Sequence, residues 1–335
     1  MKVQYDDMVN EFTRVLIKYG FSAEKAKLSA KLFADNSLDG VYSHGVNRFP
    51  RVISYIEKGY IKPDQTAVKR ESFGCVERWD GNLGMGNLNA QICMDRAIEL
   101  AGTYGIGCVA IRNTNHWMRG GAYGWQAANA GCIGICWTNT MPNMPAWGAK
   151  DRRIGNNPFV IAIPRSDGRH VVADCAMAQF SYGKIEEYKL NGRKLPIPGG
   201  YDENDEITND PEAIEKTSRV LPMGYWKGSG LSIALDLIAT VLSGGNSVSE
   251  IGKLSGEDDY AVSQVMLAID PRHFNDVTIT DELINNVLED IKGSVPVKEN
   301  GVIYYPGENS YKTRIENMEQ GIPVQEDIWK KIQSM

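Results

Sequence analysis

The sequence has no excess of positive charge: 36 Lys and Arg stand against 42 Asp and Glu, a net charge of −6. No basic face is implied that would neutralise a run of phosphates, so nucleic acid is not an expected partner. Also missing is any stretch near the ~20 consecutive apolar residues of a membrane span, and the opening MKVQYDDMVNEF holds no apolar signal core. No membrane partner is expected, and the expected location is cytoplasmic. Cysteine is scarce and unpatterned. Cys75, Cys93, Cys108, Cys132, Cys136 and Cys175 form no CxxC pair, no HExxH motif accompanies them, and most sit in apolar runs as buried thiols do. A reducing compartment and no metal site are predicted. Only four histidines occur, so imidazole chemistry falls to His44, His116, His170 or His273. What is present is ordinary globular composition, 42% hydrophobic and 23% charged, over 335 residues. That length predicts two packed units.

Residues 6–60 carry a helical period. Met8, Phe12, Val15, Leu16 and Tyr19 share one face, and Gly20 closes the run. Ser22 is placed to cap a second helix through Phe33, and Phe49, Ile53 and Ile56 line a third, with Pro50 in its first turn and Gly59 near its end. Further on, short apolar runs alternate with Gly-rich turns. Residues 107–111 read as a buried strand, 122–130 as a helix closed by Gly131, and 132–137 as the next strand, together a β-α-β unit. Residues 159–163 and 171–174 read as a hairpin joined through Asp167-Gly168. Residues 184–222, polar and rich in Gly, Pro and Asp, predict a long connection, and 231–242 an apolar helix. The last third returns to helices, including 281–291 and 326–333. The fold class is α/β with a mixed sheet.

His44 lies in a polar, glycine-containing join between helices, and Arg48 follows at the start of the third helix, where free backbone N–H groups already favour an anion. An imidazole of ordinary pKa, ~6.5, exchanges a proton readily at neutral pH. Beside a guanidinium it can protonate an oxygen next to a clamped carboxylate. The same residues also read as a helix cap with a surface His and Arg. His116, in Asn113-Thr114-Asn115-His116-Trp117-Met118-Arg119-Gly120-Gly121, follows a strand's carboxyl end, the edge where α/β sheets bind ligands. Its other reading is a polar loop rim. His170 and His273 read as structural or exposed. A dinucleotide fingerprint fails on context: Gly105-Ile106-Gly107-Cys108-Val109-Ala110 runs into a strand instead of following one, and Gly81-Asn82-Leu83-Gly84-Met85-Gly86 has no leading strand. The segment from Gly224 to Gly230 is the better phosphate candidate, with Lys227 and a Gly-Ser-Gly turn before a helix expected near Leu231; the alternative is a flexible loop with a solvated lysine.

Ser43-His44-Gly45-Val46-Asn47-Arg48, Asn115 to Gly121, Gly155-Asn156-Asn157-Pro158 and Leu221 to Gly230, in this order, resemble the second malate/L-lactate dehydrogenase family, which is unrelated to the Rossmann-type lactate and malate dehydrogenases. The resemblance implies a homodimer binding NAD(P)H, NADH more than NADPH, on a non-Rossmann mixed-sheet α/β domain. It places that domain at residues 75–245, and a separate helical domain in segments 1–74 and 246–335. The active site then lies in a cleft between domains. By position the proton donor is His44 and its neighbour Arg48. Cofactor-binding segments fall on His170, Val171, Val172, Ala173, Asp174, Cys175 and Ala176, on Trp226-Lys227, and on Gly307-Glu308-Asn309. Joined to the residue reading, this predicts hydride transfer to the keto carbon of a small 2-keto acid, with His44 protonating the oxygen and Arg48 gripping the carboxylate. Asn115 and His116 are expected as further substrate contacts. Open alternatives are another 2-keto acid, a ureidoglycolate-type substrate or cyclic imino acid, and a silent ligand-binding homologue.

Overall fold

A computed structural model describes residues 1–255 and 258–335. The chain opens with a two-residue strand, β1 (Lys2–Val3), and three helices: α1 (Tyr5–Lys18), α2 (Ala23–Leu38) and α3 (Phe49–Glu57). The apolar period decides their packing. Met8, Phe12, Val15 and Leu16 are fully buried, Phe12 stacks on Phe49 at 4.2 Å, and Phe33 meets Phe49 edge-on at 5.2 Å. Ser22 caps α2 as expected, its Oγ accepting the Lys25 N–H at 3.3 Å.

The next elements are β2 (Val68–Phe73), β3 (Val76–Asp80), α4 (Gly86–Tyr104), β4 (Ile106–Thr114), α5 (Gly121–Asn129) and β5 (Ile133–Thr138). A small pair, β6 (Met144–Pro145) and β7 (Arg152–Ile154), precedes the hairpin β8 (Phe159–Ile163) and β9 (Val171–Cys175). Residues 184–222, expected as a plain connection, carry structure of their own: α6 (Tyr182–Leu190), the pair β10 (Gly200–Tyr201) and β11 (Ile207–Thr208), and α7 (Pro211–Thr217). Ile185, Leu195 and Ile214 are buried there, so a few apolar anchors fold a polar stretch. Then come α8 (Trp226–Ser243), α9 (Val248–Ser255), β12 (Val262–Ile269), α10 (Val277–Lys292), α11 (Glu308–Gln320), β13 (Ile322–Pro323) and α12 (Glu326–Gln333).

Seven strands form one sheet in the order β2-β3-β4-β12-β5-β8-β9, with β3 and β4 its parallel pair. The expected β-α-β unit is present, but its strands do not touch. β12 lies between β4 and β5, antiparallel to both, with Met266 opposite Val109 on one side and Cys136 on the other. An apolar run such as VSQVMLAI suits a strand buried on both faces or a buried helix, and only pairing decides. The last ninety residues therefore divide. β12 enters the sheet, while α11, β13 and α12 return to the helices: Asn317 donates to the Leu38 carbonyl at 2.8 Å, β13 pairs with β1, and Trp329 meets Phe12 edge-on at 6.4 Å. Alternation along β4 builds a layer on each face: Val109 and Ile111 pack toward α4 and α5, Cys108 and Ala110 toward α8. No single helix among the described residues is long and apolar enough to cross a membrane.

Candidate active site

His44 closes a 3₁₀ turn between α2 and α3. The turn is tied down locally: Asn36 donates to the His44 carbonyl at 3.0 Å, and Ser37 Oγ accepts the Val46 N–H at 2.8 Å. Glycine is required at 45, because a Cβ there would lie 2.1 Å from that same Ser37 hydroxyl. His44 Nδ1 is 2.9 Å from Ser43 Oγ. Across a sequence gap, the loop after β4 brings His116 face to face with it, ring centroids 5.8 Å apart and planes inclined by 22°. The Met118 N–H donates to His116 Nδ1 at 3.0 Å, so the neutral ring carries its proton on Nε2.

Burial, then the positive fields of Arg48 and Arg119, push His44 down to about 4. This overturns the expectation of an ordinary imidazole: the ligand-free ring is neutral at pH 7. His116 is held well below the usual range by burial first, then Arg48, His44 and Arg51.

Two arginines near these rings differ in one decisive respect. Arg119 is 6% exposed and fully engaged, ion-paired to Asp39 and 3.8 Å from Asp174. Its Nη2 also reaches Ser310 Oγ at 3.4 Å. Arg48, the N-cap residue of α3, feels the like charge of Arg51 and the carboxylates of Asp259 and Asp258, but among the described residues only Asp259 comes as near as 4.0 Å, beyond hydrogen-bond reach. Its fork of donors is open to a ligand. Asp259 was invisible to sequence reading, since an acidic pair after a polar turn carries no motif.

Asn115 is committed through its amide nitrogen, while its buried Oδ1 has no partner. Fully buried, its amide nitrogen donates to the carbonyls of Tyr60, Leu83 and Gly84 at 3.0 to 3.1 Å. It fastens the Gly81–Gly86 turn to the His116 loop, which gives that glycine-rich stretch a structural use.

The three expected cofactor segments converge on β9. Val172 N–H donates to the Pro306 carbonyl at 2.9 Å, bringing Gly307-Glu308-Asn309 alongside one end of the strand. Past the other end, Met223 N–H donates to the Met177 carbonyl at 2.8 Å, which sets Trp226-Lys227 nearby. Of the residues on β9 itself, Val171, Val172 and Ala173 form the edge and Asp174 accepts the Gly121 N–H at 2.8 Å at the start of α5; Cys175 ends the strand, exposed, and Ala176 follows it. His170 is turned elsewhere: 3% exposed, its ring nitrogens contact the Arg165 N–H and Asn129 Oδ1, both at 2.9 Å. The residue reading of His170 as structural fits this better than direct cofactor contact. The expected Gly-Ser-Gly loop is also corrected. α8 begins at Trp226, five residues early, so Gly228 and Gly230 are helical and Ser229 Oγ accepts the Trp147 N–H at 3.0 Å. Glycine lowers helix propensity, but tertiary contacts override it here.

These segments suit a dinucleotide. Trp226 is 62% exposed with the Lys227 ammonium 5.6 Å over its ring, at a helix N-terminus where an anion is favoured. Glu308 is 8% exposed; its Oε1 is held by Lys292 and Lys312 at 2.8 and 2.9 Å, while the buried Oε2 has no partner and is free to accept from a hydroxyl. Gly307, at φ +93°, lies so close to β9 that a Cβ would be 3.0 Å from the Val172 nitrogen.

The profile of the family described as malate/L-lactate dehydrogenase matches residues 3–333. Over the full length of both chains, this protein is 48% identical to a 2,3-diketo-L-gulonate reductase of Citrobacter koseri and 47% identical to one of Pasteurella multocida. Among solved structures it is similar to the sulfolactate dehydrogenase of Methanocaldococcus jannaschii, at TM-score 0.91 and 29% identity, covering 99% of this chain and 95% of that one.

Proposed function

The chain belongs to the malate/L-lactate dehydrogenase family, and from that premise we propose that it reduces the 2-keto group of 2,3-diketo-L-gulonate, giving 3-keto-L-gulonate, with NADH as reductant. The observation that carries this reading is the open guanidinium of Arg48 beside the facing rings of His44 and His116. Substrate identity rests on the full-length relatives of that name. Assaying a panel of 2-keto acids with NADH and NADPH at 340 nm tests it: a faster turnover of another keto acid redirects the substrate, and no oxidation with any of them leaves a silent binder.

Arg48 takes the C1 carboxylate in a two-bond clamp and sets the 2-keto carbon before the rings. The nicotinamide, once bound, supplies hydride to that carbon. His116 offers its Nε2–H as a hydrogen bond to the keto oxygen. His44 transfers a proton to the same oxygen as negative charge develops, so keto acid, hydride and proton become the 2-hydroxy acid. NADH over NADPH is supported by Glu308, whose unpartnered oxygen can accept from a ribose hydroxyl but has no hydrogen to take from an ionised phosphate, its own charge being offset by Lys292 and Lys312. The exposed apolar face of α8, with Leu231, Leu237, Ile238 and Val241, supports a homodimer. The cleft lies between the helical unit and the sheet unit, and the unpaired cysteines suit a cytoplasmic enzyme.

Two expected results follow from this site. If Lys227 binds the cofactor, Lys227→Ala weakens NADH binding by ~1–3 kcal/mol, the scale of one charge-assisted hydrogen bond. Unchanged affinity by calorimetry on folded protein removes the α8 start from the cofactor site. The second concerns pH. Reduction needs protonated His44, and its depressed value of about 4 makes that form a minority of free enzyme at higher pH. Log kcat/KM for reduction should fall by about one per pH unit from roughly pH 5.5 to 8, while oxidation of the hydroxy acid, which needs the neutral ring, stays level. A plateau in reduction below pH ~6.5 would show an unperturbed imidazole instead.

A further inference from the structure

After α9, Asp258, Asp259 and Tyr260 pass along α3, the helix that Arg48 caps, and the turn that follows it. Asp258 accepts from the Tyr55 hydroxyl at 2.9 Å and from Lys58 at 2.8 Å. Tyr260 stacks on Tyr60 at 4.6 Å. Between them, Asp259 faces two directions. Its Oδ1 accepts the Met141 N–H at 2.8 Å, in the loop after β5, a strand of the seven-stranded sheet. Its Oδ2 lies 4.0 Å from Arg48 Nη2 on the helical side, the two side chains 15% and 18% exposed.

That spacing is informative when set against Asp39. Asp39 takes Arg119 and Arg314 in direct ion pairs, and Arg119 is thereby locked. Asp259 attracts Arg48 without bonding it. A carboxylate in direct contact would compete with the substrate for the same fork, whereas no carboxylate would leave a long, flexible side chain without a preferred direction. We propose that Asp259 is a positioning residue: held by the Met141 backbone, it directs the Arg48 guanidinium toward the place where the substrate carboxylate binds. The proposal rests on the reading of Arg48 given above. It also implies that substrate discrimination depends on how the helical unit meets the sheet unit, since the two anchors of Asp259 belong to different units.

The test is Asp259→Asn, alone and combined with Arg48→Lys. Asparagine keeps the oxygen that accepts from Met141 and removes the charge facing Arg48. A merely structural role would survive the change. The expected result is a fall of about tenfold in kcat/KM for the keto acid, carried largely by KM, with NADH affinity and thermal midpoint unchanged. Added to Arg48→Lys, the same substitution should cost less than about twofold more, because both remove one interaction. Wild-type kinetics in Asp259→Asn, or a loss that adds in full to that of Arg48→Lys, overturns the proposal. Should Asp259→Asn fold poorly, Asp259→Glu keeps the charge but advances it by one methylene. It should narrow the preference for the keto acid over its methyl ester, and an unchanged preference counts against the proposal. An Arg48→Lys variant that is itself unimpaired removes the underlying reading of Arg48, so the two failures are told apart.

Discussion

Replacing His44 with glutamine should lower kcat for keto-acid reduction by ~100-fold or more while leaving NADH affinity nearly intact. Glutamine fills similar space and can still meet the Ser43 hydroxyl that lies 2.9 Å from His44 Nδ1, so the 3₁₀ turn is expected to persist. What it lacks is a proton to give at neutral pH. The ring itself starts neutral, pressed down by burial and by the fields of Arg48 and Arg119. A carboxylate bound on Arg48 would offset part of that field and raise the protonated share of His44, against the burial that is the larger cause of its low value. His116 is the rival donor, and its Nδ1 is already occupied by the Met118 N–H. Single-turnover rates separate the two: if His44→Gln retains near-wild-type chemistry, His44 is not the acid and His116 takes that role.

Arg48→Lys should reduce kcat/KM for the keto acid by one to two orders of magnitude, roughly 1.4–2.7 kcal/mol, with NADH binding hardly moved. Lysine keeps the positive charge but offers a point donor where the carboxylate meets a planar fork. The sharper measurement uses a substrate without the C1 carboxylate, such as the methyl ester. Wild type should discriminate strongly against it, and the variant much less, because the same interaction is missing in both comparisons. Equal discrimination by the two enzymes would sink the assignment. The obvious substitute, Arg119, is already committed to Asp39 and Ser310, so the carboxylate contact would then have to come from elsewhere in the cleft.

The sequence alone makes the helical unit legible, because a 3.6-residue period, a serine cap and the glycines closing the first and third runs are local signals, although α2 continues past the expected Phe33 to Leu38. It determined β4, α5, β5 and the β8–β9 hairpin for the same reason, and α12 to the residue. It also separated His44 and His116 from the other two histidines by their loop contexts, and four short motifs were enough to identify the family over nearly the whole chain. Tertiary structure alone decided what depends on residues remote in sequence. β12 is central to the sheet because it pairs on both sides, which an apolar run does not announce. α8 starts early, through its glycines, where Ser229 takes the Trp147 N–H from a remote loop. Arg119 looks like a ligand in a list of polar residues, yet burial commits it to fixed partners, as it commits the amide nitrogen of Asn115, while Arg48 keeps its donors open. The low value of His44 likewise comes from burial and two guanidiniums gathered from different elements. Local pattern specifies which elements form; the charge, burial and vacancy at each polar group are properties of the assembled neighbourhood, and no spacing in the chain encodes them.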